Sequence, residues 1–169
     1  MKKMYFYLFG VLFVKIINKL YSNSLKYHKK LYPNISNKAK LGNRCKLSGS
    51  KYNIIIGNHT YINEAQIYAG EKSIVRIGEN CSIGYRVSIK ARTHGMSKVY
   101  NDESGTHEEI EKDIYIGNRC WIGDGVFIKE GFALGDDVII GANSVVTKNF
   151  PNNVIIGGVP AQIIKTRTL

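Results

Sequence analysis

A six-residue period runs through most of this chain and constrains its fold more than any other feature. From Ile116 the aliphatic positions Ile122, Ile128, Leu134, Ile140 and Val146 follow at steps of six. Upstream, Ile77, Ile83 and Ile89 keep the step, as do Ile56 and Ile62, and Ile35, Leu41 and Leu47. Gly follows the aliphatic residue directly at 42, 57, 78, 84, 117, 123, 135, 141 and 157. A fixed short period is the mark of a stacked repeat. Because it is six and not 3.6, amphipathic helices are excluded over this region.

The physics of such a repeat is simple. The aliphatic residue points inward, Gly permits a tight corner, two polar residues face water, and a small fifth residue points inward again. Six residues make one short strand and one corner, and three such units close a triangular coil. Coils stacked at strand spacing, about 4.8 Å, bury a continuous aliphatic column. The expected object is an all-β prism with three parallel sheets. Cys45, Cys81 and Cys120 each occupy the fifth place of a repeat. They read as small buried apolar residues, consistent with a reducing compartment. Three Cys without a C-x-x-C pair suggest neither a disulfide scaffold nor a zinc site.

Charge divides the chain. It carries 24 Lys and Arg against 13 Asp and Glu, a net +11. Twelve of the basic residues lie within 1–51, where there is no acid at all; the first is Glu64. That asymmetry points to an anionic surface. In the same region Phe9, Leu12, Phe13, Ile16, Ile17 and Leu20 follow the spacing of one helix face, with Lys15, Asn18 and Lys19 off it. A basic amphipathic helical segment is therefore expected over 1–32, either lying in a membrane interface or packed on the body. No apolar run has the length of a membrane-spanning helix, and no small-x-small cleavage site follows this segment. The repeat region is expected over 33–169, ending in a short tail.

Breaks in a regular repeat are where function is sought. Small slips fall at Ser48–Asn53 and Tyr68–Lys72. The large one, about 91–109, is polar, holds His94 and His107, and is long enough to form a protruding arm.

These residues together resemble a known family. The repeat resembles that of the hexapeptide-repeat acyltransferases, most closely the galactoside, maltose and polysaccharide O-acetyltransferases. The resemblance covers about 33–168. It is carried best by Ile-Gly-Asn-Arg-Cys-Trp-Ile-Gly from 116, Ile-Gly-Ala-Asn-Ser-Val-Val-Thr-Lys from 140, Gly-Gly-Val-Pro-Ala from 157, and Thr-His-Gly at 93–95. It implies a left-handed parallel β-helix, an exception to the usual right-handed crossover. It also implies a homotrimer with active sites between neighbouring prisms, and acetyl-CoA as acyl donor without a metal.

By the same resemblance His94 matches the general base, although Gly95 stands where many relatives have Pro. Trp121, Asp124, Ala142, Thr147, Lys148 and Lys165 match the acetyl-CoA contacts. Gln162 replaces a frequent Arg, for which Arg167 is a possible substitute. Asn63 matches an acceptor-binding Asn. The implied chemistry is direct transfer in a ternary complex. Imidazole removes the proton of a sugar hydroxyl as it attacks the thioester, and backbone N–H groups hold the oxyanion, with the turn Ile122-Gly123-Asp124-Gly125 allowing close approach.

The rival base is His107, whereas His28 and His59 read as solvated. The expected function is O-acetylation of a carbohydrate in a capsule, O-antigen or exopolysaccharide precursor. The acceptor could be lipid-linked and the enzyme cytoplasmic, at the inner face of the membrane. Two alternatives stay open: an N-acyltransferase on an amino sugar, and a non-catalytic or metal-binding prism of the carbonic anhydrase type. The His-x4-His pair of the latter is missing. The near-neutral body carries no aromatic and basic strand motif for nucleic acid.

Overall fold

The structure, a computed structural model, describes residues 2–42, 44–95 and 109–168. One long helix, α1 (Lys2–Leu31), precedes a run of short strands. A partial coil comes first, with β1 (Lys40–Leu41) and β2 (Lys46–Gly49). Two complete coils follow: β3 (Ile54–Ile56), β4 (Tyr61–Ile62) and β5 (Ala65–Ala69), then β6 (Val75–Ile77), β7 (Ser82–Ile83) and β8 (Val87–Lys90). The chain then leaves the prism through β9 (Arg92–His94) and returns through β10 (Glu109–Glu111). Two further coils are β11 (Ile114–Ile116), β12 (Trp121–Ile122) and β13 (Phe127–Ile128), then β14 (Ala133–Leu134), β15 (Ile139–Ile140) and β16 (Val145–Val146). The hairpin β17 (Val154–Gly158) and β18 (Ala161–Thr166) closes the end.

Each coil visits three parallel sheets in turn. Sheet A holds β3, β6, β11 and β14; sheet B holds β1, β4, β7, β12, β15 and β17, with β18 added antiparallel; sheet C holds β2, β5, β8, β13 and β16. The register stacks like residues. Ile56, Ile77, Ile116 and Leu134 form one inner column. Ile62, Ile83, Ile122, Ile140 and Ile156 form a second. Ile67, Ile89, Ile128 and Val146 form a third. All are buried. Each such side chain removed from water contributes about 1.5–3 kcal/mol. The six-residue period therefore translates directly into the core.

The three cysteines are buried among these columns, as their fifth-place position implies. Cys81 Sγ donates to Gly117 O at 3.1 Å and Cys120 Sγ to Gly135 O at 3.2 Å. The Cys120 thiol, hydrogen-bonded to Cys81 and buried, is held well above the ordinary thiol range.

The corners differ from the simplest expectation. The left-handed residue is the fourth of the repeat and is usually not glycine: His59, Asn80, Arg119, Asp137 and Asn153 have φ of 55–59°. The second-place Gly has a different task. A Cβ on Gly57 would lie 2.7 Å from the backbone of Gly78, and one on Gly117 would lie 2.5 Å from that of Gly135. Glycine is needed because successive coils approach there backbone to backbone. Third-place side chains are also more than solvated spacers. Asn118 Oδ1 accepts from Glu79 N at 2.9 Å, Asp136 Oδ1 from Asn118 N at 2.7 Å, and Asn152 Oδ1 from Asp136 N at 2.9 Å. They bolt one coil to the next along the edge between sheets A and B.

Candidate active site

The residues singled out in the sequence fall on two different edges of the prism and the face beside one of them. Asn63, Asp124 and Ala142 lie at the corners between sheets B and C, just after β4, β12 and β15. Trp121 stands beside that edge on the outer face of sheet B, 58 % exposed, between Ser82 and Ile139 of the neighbouring coils. Ala142 sits under Gly123, where a Cβ would come within 2.8 Å of Ala142 N. His94 belongs to the other edge, between sheets C and A, where the chain leaves the prism. Thr147 and Lys148 follow β16 on that same edge. The two edges are separated by the width of sheet C, about 15–20 Å at 3.3 Å per residue. Lys165 lies on β18 opposite Ile155, exposed.

The root of the arm is built from charge. β9 and β10 pair antiparallel, with Glu109 opposite His94 and Glu111 opposite Arg92. Directly opposed residues of such a pair share a face, so His94 is exposed on the same face as two carboxylates and a guanidinium. Arg92 donates to Glu109, lies 3.8 Å from Glu111 and stacks over the Tyr68 ring at 5.6 Å. The Glu111 carboxylate also accepts from Lys72 N at 2.6 Å, which ties the arm to the preceding coil. These supports were missed in the sequence, yet a signal exists: Arg92-x-His94 and Glu109-x-Glu111 both alternate at strand period. His107 and the rest of 96–108 lie outside the described residues.

Several residues expected at the donor site carry structural work as well. Asp124 Oδ1 accepts from Tyr85 N at 2.8 Å, so this carboxylate caps the coil above it. Gly123 N donates to Ile140 O and Gly125 N to Tyr85 O. Those two amides are thus committed within the prism. Lys148 Nζ donates to Gln162 Oε1 at 2.5 Å and lies over the Phe150 ring. Lys148 and the residue that replaces a frequent Arg therefore meet. Arg167 is engaged on another edge: its Nη1 donates to Asp137 O at 2.9 Å and its backbone N to Asn153 O. It is bound to the edge between sheets A and B. His59 is an exposed corner residue, as expected. Among the described residues no group of three or more His, Cys, Asp or Glu is placed to hold a metal ion.

Comparison with known proteins agrees with this architecture. A family model described as bacterial transferase hexapeptide (six repeats) matches residues 113–148, and one for the hexapeptide repeat of succinyl-transferase matches 74–93. Galactoside O-acetyltransferase of Escherichia coli (strain K12) is 36 % identical over 113 residues, which cover 67 % of this chain and 54 % of that protein. A protein of the same strain, provisionally named as a lipopolysaccharide biosynthesis O-acetyl transferase, is 33 % identical over 118 residues, covering 66 % and 60 %. A solved galactoside acetyltransferase in complex with coenzyme A superposes with a TM-score of 0.63 at 32 % identity, covering 77 % of this chain and 64 % of that one. The chain spans just over half the length of the curated relatives it matches. Repeat, coil geometry and relatives coincide: the chain is a left-handed parallel β-helix and belongs to the hexapeptide-repeat acyltransferase family.

Proposed function

We propose that this protein is an acetyl-CoA-dependent O-acetyltransferase acting on a carbohydrate, with its active site formed between neighbouring copies. The observation that carries the reading is the division of the site residues. One prism presents His94 on a charged arm at one edge, and presents Asn63, Trp121, Asp124 and Ala142 along another, a full sheet away. A homotrimer of parallel prisms would set the arm edge of one copy against the other edge of its neighbour. The bound coenzyme A of the solved galactoside acetyltransferase supports the choice of donor. In this assignment Trp121, Asp124 and Ala142 flank the thioester and pantetheine. Thr147, Lys148 and Lys165 serve the adenine and phosphate end, and Asn63 contacts the acceptor.

Proton and acyl transfer then balance without a metal. The acceptor hydroxyl oxygen attacks the thioester carbonyl as the His94 imidazole takes its proton. The tetrahedral intermediate collapses with loss of the C–S bond, and the imidazolium returns the proton to the departing sulfur. Glu109 lies opposite His94 on the ribbon, its carboxylate held by Arg92. The polysaccharide relative and the basic leader favour an acceptor from a surface-glycan precursor, lipid-linked and handled at the cytoplasmic face.

Thiol release from acetyl-CoA in the presence of sugar acceptors tests the reading. His94→Ala lowers turnover by about 10²–10⁴-fold while acetyl-CoA binding persists. Unchanged turnover in that variant removes His94 from the mechanism.

A further inference from the structure

The helix α1 is the largest feature that the acyl-transfer reading leaves unexplained. Tyr7, Leu8, Phe9, Leu12, Phe13 and Val14 are each more than half exposed. At 100° per residue these six positions surround the whole helix circumference, so no single face of this stretch is turned to the body. Proteins that are monomeric in water rarely expose so much contiguous apolar surface. The second half of the helix is different. Lys15, Asn18, Lys19, Ser22, Asn23 and Lys30 fall within an arc of about 140°, while Ile16, Ile17, Leu20, Tyr27 and Leu31 fall opposite.

We propose that α1, with the basic corner beneath it, docks this protein onto an anionic lipid bilayer. The inference is independent of the acyl-transfer chemistry. Charge decides the occupant. With no acid in residues 1–51, a second copy of this segment offers no charge to pair with Lys15 and Lys19, whereas an anionic bilayer satisfies the apolar and the basic parts together. Length fits as well. The apolar stretch from Met4 to Val14 is about 16 Å long at 1.5 Å per residue, half the hydrocarbon thickness of about 30 Å. It can enter one leaflet, and among the described residues no helix is long and apolar enough to cross.

The body adds to the same surface. A groove of about 910 Å³ separates Ile17 and Asn18 from the prism, lined by Arg44, Lys46 and Arg86 with Glu64 beside Arg44. The helix is also tethered at its far end. Lys29 Nζ donates to Asn37 O at 2.9 Å and Ala39 O at 2.8 Å, and Tyr32 just beyond is buried. Its apolar tip is thus carried at a fixed root beside a basic rim.

Flotation of the full chain with lipid vesicles tests this. Vesicles of phosphatidylcholine mixed with phosphatidylglycerol should carry the protein, phosphatidylcholine alone should carry much less, and added salt should release it. Lys15→Gln with Lys19→Gln should lower the partition coefficient about 30-fold, at about 1 kcal/mol per charge. Leu12→Asn with Phe13→Asn should abolish flotation while thermal unfolding of the body is retained, which separates lost binding from lost folding. Undiminished flotation of the Asn variant would overturn the proposal. So would a full chain that ignores both vesicles, with an assembly in lipid-free buffer that shrinks in the Asn variant, since the helix would then be covered by another copy.

Discussion

The coils and the helix α1 are both rich in aliphatic side chains, yet they treat them in opposite ways. In the coils Ile54, Ile67, Ile83, Ile89 and Ile122 are completely buried, whereas on α1 Phe9 is 69 % exposed and Leu20 60 %. Hydrophobicity alone does not separate them; period and neighbours do. A coil residue repeats every six places, and each inward side chain finds its equivalent directly above and below. Among the described residues the exposed apolar side chains of the helix have no such stacked equivalent. Apolar surface is a source of stability in the first case and a demand for a partner in the second.

Substitutions can break or sharpen that contrast. The largest effect is expected at the centre of the sheet B column. Ile122→Ala should destabilise the protein by about 2–5 kcal/mol in urea unfolding, because the rigid coils cannot collapse into the cavity. An intermediate effect concerns the edge between sheets A and B, where Arg119 grips Asp137 through Nε at 2.9 Å and Nη2 at 2.6 Å. That hydrogen bonding holds the Asp137 carboxyl below its ordinary range. A carboxylate lowered in this way adds stability above its unfolded value, near pH 3.9. The contribution fades as pH falls through the lower folded value. Asp137→Asn should therefore be less stable than the parent at neutral pH, by less than Ile122→Ala, with the difference vanishing in strong acid. The smallest effect is expected on the helix, where Leu12→Ala in lipid-free buffer should stay within about 0.5 kcal/mol. A loss there as large as at Ile122 would mean that α1 belongs to the folded core.

Much of the prism was legible because its contacts are strictly periodic. Ile116, Ile122, Ile128, Leu134, Ile140 and Val146 could be assigned inward from spacing alone, and Cys45, Cys81 and Cys120 followed from their place in the repeat. Contacts that join coils were harder to read. Asn118 bonds the backbone of Glu79 across 39 positions because the arm intervenes, but Asp136 bonds that of Asn118 across 18. No fixed offset announces such a pair. The role of the second-place Gly is hidden in the sequence for a related reason. A tight corner is a local property, whereas close approach to the next coil is visible only once the coils are stacked.

The candidate site was legible as residues and not as an arrangement. His94, Trp121 and Lys148 are recognisable in sequence, but their separation onto two edges and a face follows from the coil geometry. Likewise the commitment of the Gly123 and Gly125 amides depends on coils above and below. The ionic root around Arg92, Glu109 and Glu111 brings together residues on both sides of the arm, so its partners become evident only when the ribbon is paired.

Thermal unfolding with and without acetyl-CoA tests the central claim most directly, since it requires no knowledge of the acceptor. A specific site at 100 times its Kd should add about 2.7 kcal/mol of stability. The stabilisation should shrink when Lys148 and Lys165 are both changed to Ala, and free pantetheine should give less of it. An unfolding temperature that does not respond to acetyl-CoA would contradict the account and leave this β-helix without its proposed donor.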